Sequence, residues 1–164
     1  MSMAKSFFKK IVVAVNGKQS SIQAAMYAVM MAKSYNIEIR FVFVIDTATI
    51  KFLSINKLIV SDDLEQRLEA DGKRYLDYAQ MLAASKGVKC ELDLRKGGVF
   101  SEVLKSAEEF EADLILLGGN VREVGKTGIK HNFLSAAENG ILSNSKCPVM
   151  IVQKPNIEAE FKIF

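Results

Sequence analysis

Residues 116–132 read "LLGGNVREVGKTGIKHN": an apolar segment that breaks at two glycines and runs on into cations and two further glycines. The upstream half belongs to "DLILLGG" (113–119), a short, continuously apolar run closed by turn residues. That is the pattern of a strand covered on both faces, as in a parallel sheet. A glycine loop leaving such a strand sits where open parallel sheets hold their ligands. The GKT at 125–127 invites comparison with the phosphate loop G-x-x-x-x-G-K-[ST], whose backbone amides wrap a phosphate. The spacing fails: Asn120 holds the first position and Gly119 comes one residue too early. The stretch also follows the fourth apolar run of the chain, whereas a Walker loop usually follows the first.

Outward from this loop, the chain alternates strand-like and helix-like segments. "KIVVAV" (10–15) is a buried strand by its β-branched run and ends in the turn "NGK". Ile22, Ala25, Met26, Val29 and Met30 then recur at helical spacing, with Ser20 or Ser21 placed to cap the first turn. "IEIRFVFVID" (37–46) predicts a second strand ending at Asp46, a residue read as structural or ligand-orienting. The apolar connection "TATIKFLSINKLIV" (47–60) reads as a short helix packed on the domain edge, in preference to a lid or partner surface. Ser61 with Asp62, Asp63 and Glu65 opens a helix that runs to Ser85, and Gly87 stands where a C-terminal cap is wanted.

"VKCELDL" (88–94) alternates, which predicts a strand with one covered and one wetter face. Val99, Val103, Leu104, Ala107 and Phe110 mark a third helix facing inward. Ser135 and Glu138 have the S-x-x-E spacing of a capping box and open a last helix through about Asn144. "CPVMIV" (147–152) is the fifth strand. The order predicts an α/β fold: an open, mainly parallel five-stranded sheet with helices on both faces, Rossmann-like, as a single domain over residues 1–164.

Composition agrees with one globular unit, since 49% of residues are hydrophobic, 25% charged and only two are proline. A net charge of +3 without a basic stripe argues against a nucleic-acid surface. No run of about 18 apolar residues is present, so no membrane span is expected and the cytoplasm is the expected location. Cys90 and Cys147 lack the close spacing of a zinc or redox pair and read as buried thiols. His131 stands alone among histidines and builds no metal cluster.

Taken together, "KKIVVAVNG" (9–17), "FVFVID" (41–46), "EADLILLGG" (111–119) and "CPVMIV" (147–152) resemble the universal stress protein family over nearly the whole chain. The resemblance implies an adenine nucleotide alpha hydrolase-like fold and ATP or AMP as the candidate ligand. Members of that family that bind ATP carry G-x2-G-x9-G-[ST] after the fourth strand. Gly118 matches the first glycine, but Val121 falls on the second; starting from Gly119 puts Arg122 there. If Ser135 is the family's serine, Leu134 replaces the glycine before it and the loop is about three residues longer. Asn16, followed by Gly17 and Lys18, stands where the family usually has an acid. Backbone contact with adenine would fall near Val44 or Ile45.

Valine is poor at the close backbone approach that glycine permits, so the triphosphate cradle is expected to be lost. Gly125 and Gly128 supply a new GxxG, with Arg122, Lys126, Lys130 and His131 nearby. This is either a rebuilt anion site or, more plainly, a solvated loop. Two functions follow as expectations. One is a non-enzymatic stress-response protein acting on other proteins; the other is a sensor using Asn16, Gly118, Gly119, Lys126 and Ser135 in one crevice. No base–nucleophile pair supports an enzyme. The resemblance implies a homodimer through Val149, Met150, Ile151 and Val152, since an apolar edge strand is best covered by pairing. The terminal "EFKIF" is read as wrapping the partner or fraying.

Overall fold

The structure, a computed structural model, describes residues 7–56, 61–119, 121–124, 129–132 and 134–164. Five parallel strands form one sheet in the order β3-β2-β1-β4-β7. They are β1 (Lys10–Ala14), β2 (Glu38–Asp46), β3 (Cys90–Gly97), β4 (Leu114–Gly118) and β7 (Val149–Val152). The chain builds from β1 outward to β3, then returns to place β4 beside β1. The strand order therefore reverses between β1 and β4, the point at which open α/β sheets form a crevice at their carboxyl ends.

The continuous apolar runs have a direct cause in this layering. Ile11 and Val13 of β1 face one core and Val12 faces the other, and all three are fully buried. The first core lies under α1 (Gln19–Tyr35), α3 (Ser61–Ser85) and α6 (Ile157–Ile163). The second lies under α4 (Val99–Phe110) and α5 (Ala136–Asn144), where Val103, Ala107, Phe110 and Ile141 meet Val12, Val42, Ile115 and Leu117. Burial of a Val, Leu or Ile side chain contributes about 1.5–3 kcal/mol each. The edge strand β3 is half-covered, with Leu94 toward the first core and Asp93 toward α4.

Several helix ends form as their residues dictate. Gly87, at φ 71°, ends α3 with Gly87 N–H donating to the Ala84 carbonyl at 3.0 Å and Val88 N–H to Ala83 at 2.9 Å. Ser135 and Glu138 do form the capping box that opens α5. Asp46 caps α2 (Thr47–Ile55), accepting from Ala48 N–H at 3.0 Å and from Thr49 Oγ1 at 2.8 Å. Its role there is structural. The side-chain cap expected of Ser61 lies outside the described residues, as do Leu58 and Ile59 of the apolar connection.

Four expectations need correction. Neither Ser20 nor Ser21 is the N-cap of α1, which is Lys18 without a side-chain cap bond; Ser21 Oγ instead donates to the Lys18 carbonyl at 2.9 Å. The segment after β4 is not all loop: β5 (Val121–Val124) and β6 (Ile129–Asn132) pair as an antiparallel hairpin. The C-terminal residues do not fray: they form α6, which buries Ile157 and Phe161 against the first core and leaves Ile163 exposed. Cys90 and Cys147 are half-buried rather than buried. Burial still pushes the Cys90 thiol up, which disfavours its thiolate.

Candidate functional site

A cavity of about 140 Å³ opens at the carboxyl ends of β1, β2 and β4, on the α4/α5 face of the sheet. A void of this size accepts one small aromatic ring, given that an apolar cavity of about 150 Å³ takes benzene. Val42, Val44, Val99, Val103, Leu117 and Ile141 line it, and Asn16, Ser135 and Glu138 are its polar groups. Each reaches the site for a reason in the chain. Val44 alternates onto this face of β2, Asn16 follows the end of β1, and Ser135 and Glu138 open α5.

Of the residues expected at the site, Asn16, Val44, Gly118 and Ser135 come together here. The others do not join them. Gly17, at φ 79°, lines a separate groove between α1, α3 and α6, and a Cβ on it would lie 2.6 Å from the Tyr75 ring. Ile45 points into the first core. Gly119 turns toward β7, where its N–H donates to the Val152 carbonyl at 3.0 Å and a Cβ would lie 2.2 Å from Gln153 Cγ. Gly125, Lys126 and Gly128 lie outside the described residues.

Gly118 lines the cavity, but its glycine character has another source. A Cβ there would lie 2.3 Å from the Ser20 carbonyl carbon and oxygen and 2.6 Å from Ser21 N. The packing of the first turn of α1 on β4 by itself requires glycine at this position. Hydrogen bonds hold the neighbouring turn: Asn16 Oδ1 accepts from Lys18 N–H at 3.0 Å and Asn16 N–H donates to Ser21 Oγ at 3.2 Å.

Ser135 Oγ accepts from Glu138 N–H at 3.1 Å, and Glu138 Oε2 accepts from Ser135 N–H at 3.4 Å. Glu138 is 8% exposed. A carboxylate in the wall is unfavourable to a nearby phosphate and favourable to an N–H donor. Sequence reasoning assigned Glu138 to the capping box alone, and missed Val99, Val103 and Ile141, which carry only the signature of helix core positions. Among the described residues no group of three His, Cys, Asp or Glu side chains is placed to hold a metal ion. No helix among them is long and apolar enough to cross a membrane.

The parallel sheet, its reversal of strand order and the cavity at that reversal define an α/β fold of the Rossmann-like class. The family model described as "Universal stress protein family" matches residues 7–153, and the chain belongs to that family. It is 29% identical to Universal stress protein MJ0531 of Methanocaldococcus jannaschii over 94% of this chain and 87% of that protein. Among solved structures, a universal stress protein in complex with cAMP superposes with a TM-score of 0.61 at 21% identity, covering 90% of this chain and 98% of that one. A universal stress protein from Archaeoglobus fulgidus in complex with dAMP has a TM-score of 0.61 at 15% identity, covering 90% of this chain and 100% of the other.

Proposed function

We propose that this chain is a non-enzymatic stress-response protein that works as a homodimer, in which the triphosphate cradle is lost and a ring-sized cavity for an AMP-type mononucleotide is kept. The observation that carries this reading is the cavity itself: its volume takes one ring of a base, its wall is mainly apolar with Asn16, Ser135 and Glu138 as polar groups, and both nearby glycines are occupied by packing. Two structural relatives are described as complexes with cAMP and dAMP, which supports an AMP-type ligand. The protein as purified should therefore gain thermal stability with AMP, by about 2.7 kcal/mol at a hundredfold excess over Kd, and gain none with ATP up to millimolar concentration. An equal gain with ATP would restore a triphosphate site. No gain with any nucleotide would leave the dimer surface as the functional part.

The homodimer is proposed through β7. Ile115 N–H donates to the Pro148 carbonyl and Gly119 N–H to the Val152 carbonyl, both at 3.0 Å. Alternation then turns the peptide groups of Val149 and Ile151 away from β4, toward the open edge. Val149, Met150 and Ile151 are half-buried, and an apolar edge of this kind is suited to two-fold pairing. Ile151→Pro removes one outward N–H while sparing every bond to β4. The expected result is a folded monomer by analytical ultracentrifugation; an unchanged dimer would move the interface elsewhere.

A further inference from the structure

Helix α6 lies beyond the part of the chain that matches the family model, which ends at residue 153, and it packs on α1. Little holds it there. At seven residues it is shorter than the roughly 12–15 that an isolated helix needs to persist in water, so its order comes from docking. Two of its side chains are buried, Ile157 and Phe161, one helical turn apart. It starts from Asn156, which is left-handed at φ 59° and makes no side-chain cap bond. At the rim, Gln19 Nε2 donates to Glu158 Oε1, an exposed bond for which water competes, and Lys86 Nζ stands 4.8 Å above the Phe161 ring. The seat itself is adaptable. Met26, Met30 and Met31 of α1 belong to or pack on the core cluster that receives Ile157 and Phe161. Methionine is unbranched and polarisable, so a wall built from it re-forms around different apolar side chains.

We propose that this face of α1 is a docking groove for an amphipathic helix of another protein, and that α6 occupies it as a displaceable resident. An amphipathic helix in an apolar groove is read by anchors one turn apart, and the resident supplies them. The partner helix therefore carries an aliphatic and an aromatic residue at i and i+4. A carboxylate beside the first meets Gln19, and the ring of the second lies under Lys86. Partner and α6 compete for one seat, so the fraction of chains with α6 released scales the apparent affinity for the partner. The groove lies on the sheet face opposite the ring-sized cavity, so its occupation can be measured without any nucleotide.

Hydrogen exchange on the full chain should show the amides of Glu160 to Ile163 opening about tenfold or more as often as those of Ala24 to Val29 in α1, without global unfolding. A fluorescein-labelled peptide of residues 154–164 then probes the groove. In the full chain, Phe161→Ser weakens the resident and should tighten binding of the unaltered peptide by about tenfold. The peptide carrying Phe161→Ser should not bind. Glu158→Ala in the full chain removes only the exposed bond to Gln19, leaves the core intact, and should tighten binding by about twofold. If α6 opens only together with α1, or if neither variant takes up the peptide more tightly than the unaltered chain, α6 is a fixed part of the core and the docking groove is overturned.

Discussion

Gly118→Ala is expected to destabilise the protein by about 3 kcal/mol or more, at the upper end of what overpacking by one methyl usually costs. The added Cβ meets backbone on the other side, with the Ser20 carbonyl carbon and oxygen at 2.3 Å and Ser21 N at 2.6 Å. No rotamer change can relieve that contact. The strand cannot retreat either, because β4 is hydrogen-bonded to β1 on one side and β7 on the other. Helix α1 must move, and it carries Ala24, Ala25, Ala28 and Val29 into the first core at zero exposure. Urea unfolding at fixed protein concentration measures the loss, fixed because the proposed dimer would make apparent stability depend on it. Gly119→Ala meets the Gln153 side chain instead of backbone and should cost less. A loss below about 1 kcal/mol at Gly118 would overturn the packing account and return that glycine to ligand binding. If the expected loss is found, failure of a Gly118 variant to bind nucleotide reports misfolding and not a missing phosphate contact.

How far such features can be read from sequence depends on whether one residue's environment is local. The strands β1, β2 and β4 are legible because both faces are covered, which forces continuous apolar runs. The Ser135–Glu138 capping box and the Gly87 terminus are legible because both partners lie within a few residues. Gly118 was legible as a place where something approaches closely, but not what approaches; the neighbour is the first turn of α1, almost a hundred residues earlier in the chain. The hairpin was hidden by its brevity, since "VREV" and "IKHN" are four-residue strands beside glycines that read equally well as loop. Helix α6 offers a single i, i+4 apolar step, Ile157 to Phe161, too little periodicity to separate it from a tail.

Within the site, the convergence of Asn16, Val44, Gly118 and Ser135 followed from strand ends meeting at the reversal of order, which topology alone dictates. The exclusion of Ile45 follows from the two-residue period of a strand, since Val44 and Ile45 cannot share a face. What sequence did not disclose is the commitment of polar atoms. Asn16 Oδ1 is engaged by the Lys18 N–H and Ser135 Oγ by the Glu138 N–H, bonds set by the folded turn and helix start.

The alternation of "VKCELDL" was read as one covered and one wetter face, yet the charged face of β3 is largely covered by α4, and Asp93 lies at its centre. Asp93 Oδ2 accepts from Arg95 Nε at 2.7 Å and from the fully buried Ser106 Oγ at 2.6 Å, with Arg40 Nη1 at 3.7 Å. Arg95 also pairs with Glu102 at 3.4 Å and with Glu109, and Arg40 stacks 4.6 Å above the Phe110 ring. The Asp93, Arg40 and Arg95 side chains are 20%, 17% and 15% exposed, so water screens them only partly. Removing one member of a buried ionic set costs about 3–5 kcal/mol, because the charges left behind lose their partner. The residual exposure places Asp93→Ala near the low end, about 3 kcal/mol by urea unfolding. Asp93→Asn keeps an acceptor for Ser106 and Arg95 while losing the charge, and should cost about half as much. Asp93→Ala combined with Arg95→Met should recover part of the loss, since one stranded cation is then gone and its hydrocarbon bulk is retained. If Asp93→Ala costs under about 1 kcal/mol, the set is no stronger than a surface ion pair and α4 is held to β3 by apolar contact alone.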